Sequence, residues 1–168
     1  MDERDWTDRP LGEDDVLTLG SLEVRRQKIG PACLVTGDLT AAQTAFDQGA
    51  PVGLCGQMTP QAASVRIARD LALFPGGAVK PGWHDSFAVS DADGVYICLS
   101  LSGRGAKAAL AQGTSVDLDA PSPSAAIQFA GVKALLTRRG DAYLLWVEAP
   151  METYVTSFLR GIDDEAFD

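Results

Sequence analysis

The sequence predicts an α+β fold: antiparallel and mixed strands in two small lobes, with a few helices covering one face. Three observations carry this. Residues 94–101 form an apolar run that breaks at Gly103 and Gly105 into a small-residue helix over 106–112. Three more apolar runs, 125–129, 132–137 and 142–147, are separated by turn-length segments, too short for the crossover helices of a parallel sheet. Arg138-Arg-Gly-Asp141 reads as a tight hairpin connection, so the last three strands should form a meander, closed by a helix over 151–160.

The earlier chain is less regular. Alternation over 21–25 suits a half-buried strand, and 32–35 reads as a buried one. Asp38 or Thr40 should cap a helix that places Leu39, Ala42 and Phe46 on one face and stops at Gly49. A β-β-α opening results, and a ferredoxin-like β-α-β arrangement suits parts of the chain. Residues 50–63, rich in Gly, Pro and Gln, read as an irregular linker. In 64–74 the alternation of Val65 and Ile67, then Leu71 and Leu73, reads as one strand, and 80–91 as an extended loop. Lobe 1 is expected at about 16–75 and lobe 2 at about 88–162. The expected core is Leu34, Val35, Phe46, Ile67, Leu71, Leu73, Ile97, Leu99, Leu101, Leu110, Ile127, Phe129, Leu135, Leu144, Trp146, Val155 and Leu159.

The formal charge of −9 resides in the ends. Residues 1–15 carry seven acids against Arg4 and Arg9, and 163–168 carry Asp163, Asp164, Glu165 and Asp168, leaving a neutral body. These ends read as a disordered acidic N-terminal segment and an acidic tail. Without a basic face, duplex nucleic acid is a poor partner. No apolar run approaches membrane-spanning length. Cys33, Cys55 and Cys98 are isolated thiols without CxxC spacing, which fits a reducing compartment; a cytoplasmic location is expected.

No catalytic machinery is self-evident. Gly103, Gly105 and Ala108 follow a strand and open a helix, as a dinucleotide fingerprint does. The strand sits mid-chain, however, and Asp117 and Asp119 lie too close to take the ribose position. A structural turn is the better reading. His84, the single histidine, lacks a metal-ligating partner in sequence. Trp83, His84 and Phe87 read as interface candidates on a loop. Asp117 and Asp119 read as turn caps, Arg138 and Arg139 as a solvated hairpin tip. Gly53 to Gln57 reads as a flexible connector with a partly buried thiol. No catalytic, cofactor-binding or metal-binding residue is assigned.

A run of local sequences in fixed order carries a resemblance. Arg66-Ile-Ala-Arg-Asp-Leu-Ala-Leu73 comes first, followed by Pro81-Gly-Trp-His84 and Phe87-Ala-Val-Ser90. Leu99-Ser-Leu-Ser-Gly-Arg-Gly-Ala106, Asp117-Leu118, Pro123-Ser-Ala-Ala-Ile-Gln-Phe-Ala-Gly131, Arg138 and Trp146-Val-Glu148 come next. Together, residues 64–160 resemble the gamma subunit of heterotetrameric sarcosine oxidase, similar in fold to the folate-binding domain of aminomethyltransferases. Arg104 stands where that group's turn usually has proline, and residues 1–60 match poorly.

The resemblance implies a non-catalytic structural or assembly subunit beside alpha-, beta- and delta-type partners. In that family the complex oxidises sarcosine to glycine, giving peroxide and a one-carbon unit captured by tetrahydrofolate. FAD, FMN, NAD and zinc would be carried by the partners and none by this chain. The alternative is a stand-alone folate- or one-carbon-binding module acting as a homo-oligomer, marked by a pocket between the lobes with an acid over it.

Overall fold

The computed structural model describes residues 9–13, 15–76 and 80–162. The acidic tail 163–168 and most of the acidic N-terminal segment lie outside the described residues. Among the described residues, eleven strands and three helices run in the order β1 (Val16–Leu19), β2 (Leu22–Gln27), β3 (Ala32–Gly37), α1 (Leu39–Phe46), β4 (Val65–Ala68), β5 (Leu71–Pro75), β6 (Gly82–His84), β7 (Phe87–Asp91) and β8 (Tyr96–Ser102). There follow α2 (Ala106–Gly113), β9 (Ala126–Phe129), β10 (Val132–Arg139), β11 (Ala142–Glu148), a short 3-10 turn and α3 (Glu152–Arg160). The strands form a large sheet, β1-β2-β8-β11-β10-β9, and a small sheet, β4-β5-β3-β7-β6. Helices and antiparallel sheets are segregated, as the α+β expectation requires.

Alternation explains the layering. In β8, Ile97, Leu99 and Leu101 face α2 and α3, whereas Cys98 faces the small sheet. In β11, Tyr143, Leu145 and Val147 take the helix side, Leu144 and Trp146 the inter-sheet side. The small sheet repeats the pattern: Leu73 and Val65 face inward, while Cys33, Val35, Phe74 and Phe87 pack under α1. Four layers result, in the order α2 and α3, large sheet, small sheet, α1. Within α1, Asp38 Oδ1 accepts from the backbone N–H groups of Thr40 (2.9 Å) and Ala41 (3.1 Å). Phe46 meets Phe74 and Phe87 edge-on at 5.3 and 5.6 Å.

The meander β9-β10-β11 forms as expected. Several other expectations are corrected. Residues 64–74 are not one strand but a hairpin, because the chain reverses at Arg69-Asp70 and β4 pairs with β5. The extended loop at 80–91 is also a hairpin, β6 with β7. One expectation holds: every adjacent strand pair is antiparallel, and β3, α1 and β4 form a split β-α-β unit of the ferredoxin-like kind, β3 and β4 running parallel with β5 between them. The sheets also cut across the expected lobes. β1 and β2, placed in lobe 1, pair through β2 with β8 and belong to the large sheet. Of the expected core, Leu34, Phe46, Ile67 and Leu71 are only half-buried, since they sit where the layers end.

Residues 50–63 are irregular but not a loose linker. The backbone N–H of Cys55 donates to Leu136 O (3.0 Å), that of Met58 to Arg138 O (2.7 Å), and Arg138 N–H to Gly56 O (2.9 Å). This stretch therefore continues the sheet edge beyond the end of β9. Gln57 clasps Gly140 with both ends of its amide, at 3.1 Å each. Trp146 Nε1–H donates to Thr137 Oγ1 (3.0 Å), and the Thr137 hydroxyl donates to Met58 Sδ (3.2 Å). Gly53 is forced: a Cβ there would lie inside the Ser122 carbonyl oxygen.

The N-terminal segment is strapped to α3. Leu11 is buried in the helix-side core, and its carbonyl accepts from Arg26 Nη1 at 3.2 Å. Arg26 Nη1 also pairs with Glu152 Oε2 at 3.2 Å. Glu152 is almost wholly buried, and its Oε1 has no hydrogen-bond partner. Burial raises its pKa, opposed by Arg26 and by the Leu11 backbone hydrogen bond.

Two outcomes are expected. Gly53→Ala should destabilise the fold by about 1–3 kcal/mol in denaturant melts, since neither backbone can yield without losing the edge; an unchanged midpoint refutes the close approach. Glu152 holds its proton more tightly folded than unfolded. The stability this confers is complete below the ordinary carboxylate pKa of about 4.3 and lost as pH rises through the folded value. The stability of the native chain relative to Glu152→Gln should therefore fall as pH rises above about 4. A difference independent of pH would rule this out.

Candidate functional site

Two concavities lie where the layers end. The first opens between the sheets, with a volume of about 480 Å³. Ile67 from β4 walls one side, and Ala126, Ile127 and Leu135 from β9 and β10 form the apolar floor. A polar row crosses the large sheet at its mouth. Gln128 pairs with Lys133, and Tyr96 pairs with Glu148. One step beyond the Ala134–Val147 pair, Lys133 and Glu148 face each other. Burial raises the Tyr96 pKa, and the Glu148 charge adds to it. The arrangement offers an apolar slot with a carboxylate, an ammonium and a phenol at its rim, which suits an amphipathic ligand.

The second is a groove of about 580 Å³ between α1 and the β6–β7 hairpin. Ala41, Thr44 and Ala45 form the helix wall; His84 and Phe87 lie opposite. The three interface candidates converge here but divide between faces. The His84 ring stacks on Phe87 with centroids 5.1 Å apart and planes 9° apart, and its Nε2–H donates to Lys80 O at 3.2 Å. Phe87 is buried beneath α1. Trp83 pairs with Ala88, one step beyond the His84–Phe87 pair, so its Cβ alternates to the other face of the strand, while the 85% exposed side chain also lines the groove.

The other sequence motifs have structural explanations. Gly103 (φ +93°) lies on the carbonyl of Ser21 in the β1–β2 hairpin, where a Cβ would clash. The glycine spacing thus serves the chain's own backbone. Asp117 Oδ1 accepts from Asp119 N–H (2.9 Å), and Asp119 pairs with Lys107 Nζ at 2.6 Å on the surface. The pair turns the backbone and stays solvated. Arg138 is not a solvated tip: its guanidinium lies 5.0 Å from the Tyr143 ring centroid, and its Nε is buried without a partner. Among the described residues no group of three or more His, Cys, Asp or Glu could hold a metal ion. No helix among them is long and apolar enough to cross a membrane.

Sequence reasoning singles out Trp83, His84 and Phe87 by residue type but not the Tyr96–Glu148–Lys133–Gln128 row. These residues are far apart in sequence and meet only through strand register. Their polarity at the ends of otherwise apolar runs is the one signal that precedes the fold.

No family model and no curated protein matches the chain. Among solved structures, the fold is similar to a chain of heterotetrameric sarcosine oxidase from Corynebacterium sp. U-96, determined in complex with pyrrole 2-carboxylate. The TM-score is 0.63 at 17% sequence identity, over 91% of this chain and 87% of that one.

The thiols provide a test of the site's chemistry. Burial raises the pKa of all three cysteines. At Cys55, Arg138 and Lys107 only partly oppose this. Native protein at neutral pH should therefore label slowly with iodoacetamide, Cys55 reacting first as pH rises and Cys98 only on unfolding. Fast labelling of Cys55 at neutral pH would identify a nucleophile instead.

Proposed function

We propose that this chain is the gamma-type, structural subunit of a sarcosine-oxidase-type complex, assembled with alpha-, beta- and delta-type partners. The observation that carries the reading is the fold likeness, over 91% of this chain, to a chain of such a complex. The ordered sequence resemblance over 64–160 supports it independently of the fold. In this role the partners carry FAD, FMN, NAD and zinc and supply the tetrahydrofolate chemistry, while this chain contributes surfaces. Trp83, His84 and Phe87 are the contact residues of the small-sheet edge.

A second reading has one observation in its favour. The cleft between the sheets, with Glu148 and Tyr96 at its rim, has the form expected of a stand-alone folate- or one-carbon-binding module.

The deciding measurement is affinity purification of the tagged chain from its native cells, with the eluate scanned for flavin absorbance. The expected result is a yellow eluate with larger subunits and sarcosine-dependent peroxide. A colourless, unaccompanied chain whose tyrosine spectrum responds saturably to tetrahydrofolate, and no longer does in Glu148→Gln, would replace the subunit reading with the module reading.

A further inference from the structure

The cleft between the sheets has a floor and a rim, and strand register sorts them by chemistry. Ala126, Leu135, Trp146 and Cys98 stand side by side across β9, β10, β11 and β8 as an apolar row on the inner face of the large sheet. The next row on the same strands is Gln128, Lys133, Glu148 and Tyr96. It faces the space between the sheets, because the adjoining residues Phe129, Ala134, Val147 and Ile97 belong to the helix-side core. Ile67 walls the cleft from β4. Ser124 Oγ–H and Ala125 N–H hold that wall through Ile67 O (2.6 Å) and Arg66 O (2.8 Å).

The rim is charged but not paired within itself. Lys133 and Glu148 are cross-strand neighbours of opposite sign, an arrangement that favours a salt bridge. Among the described residues neither closes one, although the chain forms such pairs elsewhere, Lys107 with Asp119 at 2.6 Å for example. The Gln128 amide and the Tyr96 hydroxyl are likewise engaged by no described residue. Burial, and then the Glu148 charge, raise the Tyr96 pKa, so its hydroxyl is a donor at neutral pH.

Charge decides which ligand suits this mouth. A lone carboxylate would meet Lys133 but lie against Glu148, and a lone ammonium would meet Glu148 but lie against Lys133. A neutral apolar molecule would desolvate both charges and pair neither. A ligand carrying both charges satisfies both. Adjacent strands lie about 4.8 Å apart, so an ammonium and a carboxylate borne on one carbon can engage the two side chains together. The slot behind is apolar and holds about 480 Å³, room for a sizeable apolar body as well as the charged head.

We propose that the cleft between the sheets binds a free α-amino acid with a large apolar side chain. Its carboxylate pairs with Lys133 and accepts from the Tyr96 hydroxyl, and its ammonium pairs with Glu148 and donates to Gln128 Oε1. Its side chain lies on Ala126 and Leu135 beneath Ile67. The site goes beyond the subunit reading and does not depend on it, and it assigns the cleft a different ligand from that of the module reading.

The test is calorimetric titration of the full chain with L-phenylalanine and three relatives. Phenethylamine lacks the carboxylate, 3-phenylpropanoate the ammonium, and glycine the apolar body. L-phenylalanine should bind saturably with a Kd of about 1 mM or tighter, and each relative about tenfold more weakly or worse. Lys133→Met should weaken L-phenylalanine about tenfold without weakening phenethylamine, and Glu148→Gln should do so without weakening 3-phenylpropanoate. Both side chains are exposed, so neither variant should move the thermal midpoint. An absence of saturable heat with L-phenylalanine, or relatives and variants that bind as tightly as the native pairing, would overturn the proposal. So would Glu148-dependent binding of tetrahydrofolate by a chain that does not bind L-phenylalanine, which favours the module reading instead. A colourless eluate from native cells removes the subunit reading alone, because the titration decides the cleft separately.

Discussion

The middle of the large sheet has no solvent face, and the remaining structure follows from that. β8, β10 and β11 carry apolar side chains on both sides, so each side must be covered by another layer. α2 and α3 cover one side with small residues at the contact, Ala106 and Ala109, which bring the helix backbone close. The small sheet covers the other. Burial on both faces removes water from the polar groups at the centre of the layers, which makes protein partners for them valuable. The chain Trp146–Thr137–Met58 supplies them, and in doing so fastens residues 50–63 to the sheet. The same burial leaves Cys98 inert.

Coverage is asymmetric, and the asymmetry locates every candidate surface. At one corner the sheets are tied by backbone: Ala125 N–H donates to Arg66 O at 2.8 Å, and Ser124 Oγ–H to Ile67 O at 2.6 Å. The cleft between the sheets opens beside this tie, so its walls are held by hydrogen bonds rather than by packing alone. At the far side the inner faces of β2 and β7 carry Arg25 and Ser90, both exposed, and no core forms between them. Polar residues there prevent the sheets from closing on one another. They also leave the small sheet's edge accessible, with an indole that contributes nothing to the core.

Where a strand is apolar on both faces its sequence is continuous and short-range, so 94–101, 132–137 and 142–147 are legible without a structure. Residues 64–74 are not, because the turn at Arg69-Asp70 uses neither Gly nor Pro, and its alternation simulates one strand. The β6–β7 hairpin is hidden for the reverse reason. Gly82 and the residues before it look like loop, while three residues are too few to display a period. Sheet membership is less legible still. β2, ending at Gln27, joins β8, which starts only at Tyr96, and no local pattern encodes that choice. The candidate site divides in the same way: Trp83, His84 and Phe87 stand out by residue type, but their separation onto two faces depends on the register of a hairpin that the sequence conceals.

That separation bears on how the exposed edge should be understood. An unpaired strand edge is a template for unwanted association, and folds usually blunt it with a short strand, a charge or a covering segment. β6 is short, but it carries a large aromatic at the one residue whose backbone faces outward, and no charge within the strand itself. A stretch serving only to end the sheet would not place its most hydrophobic side chain there, since exposing an indole costs free energy that any polar residue avoids. Nor would it leave an open groove beside it. The β6 edge is therefore the part of the small sheet where apolar side-chain area remains unburied, in contrast to the β4 edge, which Val52 covers.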